Sequence, residues 1–309
     1  MTISRLDLIQ LPGPAYISQI TNQSINMNIE TETGYGSANV HPLFSAVVGQ
    51  VPTISFSTTQ IATLLANAPF IGAGISASTA FFWKLAAATG SVARGSGSHL
   101  RNTMTLGYIH WTQISLQHDS VGSVDSEITV GYDGSNEPLV PAGSQTLPSN
   151  VTDTERFMVG PVFINGSQLG VNTIKSVTIE SGIELDIEGG DGTVWPTQIA
   201  LRLTKPVITV VTNAVSPITT TGVDGVALNG SNGIVAYGRK VTKNQAGGGS
   251  RVANGTNQHL SFTGLNGHYW VETQSADGNT PAQTTIRAEL TALNDTTIPL
   301  LTATNATIP

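Results

Sequence analysis

The chain has 309 residues, a formal net charge of −7 and only 11% charged residues. An acidic, weakly charged chain is not built to grip nucleic acid, which needs clustered Lys and Arg, and no apolar run approaches the ~18 residues of a transmembrane helix. With no cysteine, disulfides, thiol nucleophiles and thiolate metal sites are excluded, while 33 glycines and 39% hydrophobic residues suit short strands and many turns, not a coiled coil.

The opening stretch MTISRLDLIQLPGP has no basic start followed by an apolar run and a cleavage site, so synthesis and assembly in a cytoplasm are expected. Next, Ile25, Met27 and Ile29 alternate with Asn26, Asn28, Glu30 and Glu32, the period of two that marks a half-buried strand. Ser57–Ala66 reads as a short helix, with Ser57 or Thr58 as its cap and Ile61, Leu64 and Leu65 on its apolar face. Strands are expected over 104–117 and 123–131. The clearest strand is Ser176–Glu188, where Val177, Ile179, Ile183, Leu185 and Ile187 share one face and Thr178, Glu180, Glu184, Asp186 and Glu188 the other. Gly189–Gly192 then turns the chain, and Gln198–Thr204 returns as the second arm of a hairpin. Further strands are expected over 258–263, 268–274 and 284–293. The fold class expected is all-β with minor helix.

The two halves resemble each other. VARGSGSHL at 92–100 matches VANGTNQHL at 252–260, a shift of 160. Val40-His41-Pro42 faces Val194-Trp195-Pro196, and Pro52-Thr53-Ile54 faces Pro206-Val207-Ile208, both at 154. Gly13–Ile17 faces Gly160–Ile164 at 147, and Pro138 faces Pro299 at 161. The matches are colinear, and the shift changes where loop-like segments such as Lys240–Arg251 would absorb it. Convergent turn chemistry in a Gly-rich β protein is the competing explanation. A duplication predicts two domains, 1–150 and 151–309, each of ordinary size. It also sets Glu30 against Glu184 and Glu32 against Asp186, an acidic pair at one place in both copies.

Enzyme chemistry is poorly represented, and neither catalytic nor metal-binding residues nor a cofactor are expected. No pair among His41, His99, His110, His118, His259 and His268 has the spacing of a helical zinc site. His99 and His259 are duplicate equivalents that read as structural. His118-Asp119-Ser120 cannot form a triad from one strand, because successive side chains point apart, and there is no GxSxG elbow. Glu184, Asp186 and Glu188 lie along an extended strand with alternate side chains ~6.6 Å apart, too far to close around one ion without a second segment. They read as a solvated face or as an acidic wall, with metal binding the remaining alternative. Arg94, Arg101, Lys240, Lys243 and Arg251 lie in or beside Gly-rich loops and are candidates for inter-subunit pairing, against a plain reading as scattered surface charge.

In VPTISFSTTQIA, TLGYIHWTQISLQHDSVGSVDSEITVGYDGSNEPL, KSVTIESGIELDIEGGDGTVWPTQIALRLTKPVITV and QHLSFTGLNGHYWVETQSADGNTPAQTTIRAELTAL, the chain resembles the tail tube proteins of long-tailed bacteriophages. The resemblance is one of pattern over most of both halves. It implies two tandem β-sandwich or barrel-like tube domains joining neighbours edge to edge in stacked rings. With two domains per chain, three chains would make a pseudo-sixfold ring. It further implies a virion location, with contacts to itself and to tape measure, terminator and baseplate proteins. Viral DNA would pass without sequence-specific binding, and no membrane would be involved. Glu30, Glu32, Glu184, Asp186 and Glu188 become candidates for an acidic lumen wall. The alternatives are another trimeric tail component (baseplate hub or distal tail protein), a capsid decoration or filament protein, and a carbohydrate-binding β-sandwich using Trp83, Trp111, Trp195 and Trp270. Core or interface packing is the simpler role for those tryptophans.

Overall fold

The structure is a computed structural model that describes residues 6–11, 15–85, 99–146, 155–214, 225–230, 232–242, 251–277 and 280–309. Among these residues it is all-β with one short helix. In the first half the strands are β1 (Leu6–Gln10), β2 (Tyr16–Ile17), β3 (Ile20–Asn26), β4 (Ile29–Tyr35), β5 (Pro42–Gln50) and β6 (Thr53–Thr58). After helix α1 (Ile61–Asn67) come β7 (Ala73–Leu85), β8 (His99–Gln117), β9 (Ser123–Gly131) and β10 (Val140–Gln145). The second half opens with β11 (Phe157–Ile164), β12 (Ser167–Gln168), β13 (Ile174–Glu180), β14 (Glu184–Glu188), β15 (Gln198–Leu203) and β16 (Val207–Thr212). It continues with β17 (Val226–Ala227), β18 (Ile234–Lys240), β19 (His259–Gly264), β20 (Asn266–Asp277), β21 (Thr280–Thr291) and β22 (Leu300–Ala306).

All pairing is antiparallel, and the second half repeats the scheme of the first. Strands β1–β2, β1–β7, β7–β8 and β8–β10 correspond to β11–β12, β11–β18, β18–β19 and β19–β22. Likewise β8–β9, β6–β9, β3–β6 and β4–β5 correspond to β20–β21, β16–β21, β13–β16 and β14–β15. The long β7 is represented by β17 and β18, and the long β8 by β19 and β20.

Register and irregularities recur with the topology. Ile25 pairs with Ile54 as Ile179 pairs with Ile208, and the bulge between Ile20 and Asn22 returns between Ile174 and Ser176, all at the 154 shift. The bulge between Trp111 and Gln113 returns between Val271 and Thr273 at 160. A one-residue slip would move a strand's apolar set to the wrong face, so repeated registers mean repeated core positions. Bulges are positional features rather than defects, and their recurrence is correspondingly specific. The pairing departs from one sequence match: Tyr16–Ile17 forms β2, whereas Phe163 and Ile164 end β11, so the position of Tyr16–Ile17 is taken by Ser167–Gln168.

One continuous apolar core runs through both halves, with Ile54, Phe56, Ile109 and Trp111 on one side and Val177, Ile208, Phe262 and Ile286 on the other. The strands supply it by alternation, as in β6, where Ile54 and Phe56 point in between half-buried Thr53, Ser55 and Ser57.

Two expected elements differ in detail. Ser176–Glu188 is not one strand: Gly182, at φ +58, turns it from β13 into β14. The first half breaks at the equivalent Asn28, at φ +44. Val177 and Ile179 therefore enter the core, while Leu185 and Ile187 belong to a two-stranded ribbon. The helix starts later than its pattern suggested, after Gln60, and is capped by neither Ser57 nor Thr58, which lie in β6. Instead the Glu155 carboxylate accepts from Ala62 N (2.8 Å), Thr63 N (3.1 Å) and the Thr63 hydroxyl. A carboxylate satisfying helix N-terminal donors is worth about 1–2 kcal/mol. Glu155→Ala is expected to lower stability by that amount, measured as the urea midpoint.

Candidate assembly surfaces

The halves meet along β13 and β8. Ser176–Glu180 pairs with Gln113–Gln117, with Val177 opposite Leu116 and Thr178 opposite Ser115. Ser181 N donates to Thr112 O (3.0 Å) and His118 N to Lys175 O (2.9 Å). These bonds place Val177 and Ile179 at hydrogen-bonded sites and Thr178 at a non-hydrogen-bonded site. Of the described pairings, this is the one with no counterpart at the other end of the chain.

The β14–β15 ribbon crosses the same seam. Gln50 N donates to Val194 O (2.7 Å), and Tyr132 N donates to Pro196 O (2.8 Å). Trp195 Nε1 donates to Gln50 Oε1 (3.2 Å), and its ring lies against Tyr132 at 5.5 Å between centroids. Pro196 is buried as a result. The seam thus combines a strand pair with a tip contact, neither of which the sequence disclosed.

Among the described residues, the tip of the equivalent β4–β5 ribbon makes no such contact. Its tip residues Val40, His41 and Pro42 are exposed, Val40 by 85% and the adjoining Leu43 by 66%. Tyr35, Phe44, Val47 and Val48 are exposed as well. So many large apolar side chains exposed together on a two-stranded ribbon mark an interaction site.

The acidic residues all lie exposed on these ribbons: Glu30 and Glu32 on β4, Glu184, Asp186 and Glu188 on β14. Glu32 pairs with Ala46 as Asp186 pairs with Ala200. In the second half Lys205 reaches Glu184 (3.3 Å) and Arg202 reaches Asp186 (3.8 Å). In the first half Val51 and Val48 stand in the places of those cations. Both ion pairs are solvent-exposed and therefore weak.

Of the expected inter-subunit cations, Arg94 and Lys243 lie outside the described residues. Arg101 is not in a loop: it sits in β8, paired with Trp83 and Ala142. Lys240 ends β18, its ammonium 4.9 Å from the centre of the Phe157 ring. Only Arg251 occupies a described loop, beside Arg239, whose guanidinium is held below its usual range by burial and by Arg251.

The two histidines expected to be structural, His99 and His259, are both buried at strand starts. His259 is fully buried at the start of β19; its Nδ1 accepts from Lys240 N (3.0 Å), which leaves Nε2 to donate to Ala253 O (3.0 Å). His99 is buried at the matching start of β8. Trp111 is fully buried in the core. Among the described residues no group of three His, Asp or Glu could hold a metal ion.

Burial holds the His110 imidazole down at about 4. Its ring lies 6.5 Å from that of Tyr108, and across the sheet stands Glu127, whose carboxyl is pushed up by burial. The unfolded chain takes up the imidazole proton near 6.5 and the folded chain only near 4, so stability is whole above the first value and lost toward the second. The loss is expected to reach at most ~3 kcal/mol. Glu127, with the opposite sign in an overlapping window, reduces it. Thermal midpoints between pH 7 and 4 measure the decline, which His110→Phe should flatten.

No protein-family model matches the chain, and no curated protein matches it.

Proposed function

We propose that the chain is a structural virion protein that builds the hollow tail tube of a long-tailed bacteriophage. It consists of two copies of one tube domain, and three chains close a pseudo-sixfold ring that stacks and conducts DNA during ejection. The observation that carries this reading is the repeated pairing scheme, with its bulges, joined side by side through β13 and β8. Two like modules that already share a sheet edge are two steps around a ring, and exposed edges elsewhere are the natural means of continuing it. The resemblance of the sequence to tube proteins supplies the biological setting.

Electron microscopy of the purified protein tests the proposal: hollow rods with threefold rings support it, and a monomer at high concentration overturns it.

The acidic ribbons then supply a wall that repels phosphate and lets DNA slide. Glu184 and Asp186 have cations beside them, so Glu30 and Glu32 contribute the larger net field. Glu30→Lys with Glu32→Lys is expected to leave tubes intact and slow genome ejection, by more than the same change at Glu184 and Asp186. Ejection from assembled particles measures it, and unchanged kinetics would count against a lumen position.

A further inference from the structure

The seam within the chain joins a donor on the second half to an acceptor on the first. Each half carries the same donor elements, an edge strand followed by a ribbon tip, and the same acceptor elements, a long strand and the end of its hairpin partner. The second half's donor is used on the first half's acceptor. Among the described residues, that leaves the first half's donor and the second half's acceptor open, and the exposure pattern follows this division. In β13, Ile174, Val177 and Ile179 are buried; in β3, the equivalent Ile20, Gln23 and Ile25 are only half-buried. In β8, Ile114 and Leu116 are buried; in β20, the equivalent Gln274 and Ala276 are exposed. Among the described residues, strand β3 is paired on one edge only, with β6. Among the described residues, no strand follows β17 along the outer edge of β20 beyond Tyr269.

We infer that β3 of one chain pairs antiparallel with β20 of the next chain, in the register that β13 keeps with β8. Carrying Val177–Leu116, Thr178–Ser115 and Ile179–Ile114 across by the two shifts gives Gln23 opposite Ala276, Ser24 opposite Ser275 and Ile25 opposite Gln274. Gln23 and Ile25 then occupy hydrogen-bonded sites and Ser24 a non-hydrogen-bonded one. The β4–β5 tip docks at the same time. Val40 O and Pro42 O stand where Val194 O and Pro196 O stand in the inner seam, so they accept from Thr204 N and Ala292 N of the neighbour.

A separate observation marks that landing point. Thr204, Thr291 and Ala292 border an open, mainly apolar depression of ≈ 860 Å³, which Leu203, Ile298 and Pro299 also line. Its counterpart on the first half is covered by Trp195 lying on Tyr132. Exposed Val40, His41 and Leu43 are the residues offered to it. The occupant is therefore a second copy of this chain, and the contact is head to tail, which closes into a ring if the half-to-half rotation closes. The inference rests on the self-assembly reading above and gives it a strand pair and a register.

The chain has no cysteine, so introduced thiols report without background. Directly opposite residues at a non-hydrogen-bonded site have Cα atoms ~4.5 Å apart, within disulfide range. Chains carrying Ser24→Cys and chains carrying Ser275→Cys are mixed during assembly and oxidised. A mixed two-chain disulfide is expected, absent from either variant by itself, and the double variant should yield covalent rings. Ser24→Cys mixed with Gln274→Cys reports a one-residue slip; equal or greater yield there overturns the register. Assembled rods in the microscope without a Ser24→Cys–Ser275→Cys disulfide overturn the pairing and leave the tube reading standing. Covalent rings that never stack into hollow rods support the pairing and overturn the conduit. A chain that neither cross-links nor assembles overturns both.

Discussion

Replacing Gln23 by proline is expected to give a folded monomer that no longer assembles. In an antiparallel strand each residue directs its N–H and C=O to one side only. By the register derived from β13, Gln23 turns both toward the free edge, while Ser24 turns both toward Ser55 of β6. Proline at 23 removes a donor that no strand among the described residues uses and sets its ring in the path of an incoming strand. Proline tolerates an edge strand, so the fold should hold. Association should weaken by at least ~100-fold, the equivalent of an unpaired buried acceptor plus a steric clash. A closed ring multiplies this, since every junction carries the same defect. Ser24→Pro makes the contrast: it breaks the β3–β6 ladder and should lower the urea midpoint before assembly is tested. Sedimentation and far-UV circular dichroism separate the two. If Gln23→Pro still forms rods, the open edge of β3 is not the junction.

The parts of the fold legible in the sequence were those fixed by local alternation and by turn residues. Strands β9, β15 and β19 fall close to their apolar patterns, and the acidic pairs of β4 and β14 occupy matching ribbon positions. The breaks at Asn28 and Gly182 were hidden because the apolar period continues through them: Met27, Ile29, Ile183 and Leu185 keep the phase of the strand while the backbone changes direction. The cap from Glu155 was hidden because it lies 92 residues from Thr63. The seam was hidden for the same reason. Trp195 and Gln50 are 145 residues apart, and nothing local marks either as a partner of the other. What did carry long-range information was the pair of shifts, 154 and 160. Applied to registers rather than to residue types, they connect positions whose side chains differ, such as Val177 with Gln23 and Leu116 with Ala276. Backbone pairing constrains geometry more tightly than it constrains the side chains.

Gly182 is a position where a single methyl group should be costly. Its φ of +58 lies in the left-handed region, which L-residues other than Asn and Asp avoid. A Cβ there would meet Lys205 O at 2.2 Å and its carbonyl carbon at 2.6 Å, backbone atoms that cannot swing aside. Lys205 cannot retreat either, because its N–H donates to Gly182 O (3.0 Å) and β16 begins two residues later. Gly182→Val adds a β-branched side chain to that strain, and a loss of roughly 3 kcal/mol or more is expected. The first half solves the same turn differently. Asn28 accepts the left-handed conformation and donates through Nδ2 to Val51 O (2.8 Å), the residue equivalent to Lys205. Asn28→Gly keeps the conformation and loses only the exposed hydrogen bonds from Nδ2 to Val51 O and Thr53 Oγ1, so its cost should stay within about 1 kcal/mol. Urea unfolding of the two variants measures the difference. The effect on assembly should invert that order of location. Gly182 sets the angle at which β14–β15 leaves the sheet to cover the first half, a contact made within the chain. Asn28 sets the angle of β4–β5, whose exposed tip docks on a second chain in the pairing proposed above. A mild change at Asn28 that misaims the ribbon should therefore be silent in unfolding and visible in the assembly yield, whereas Gly182→Val fails at folding.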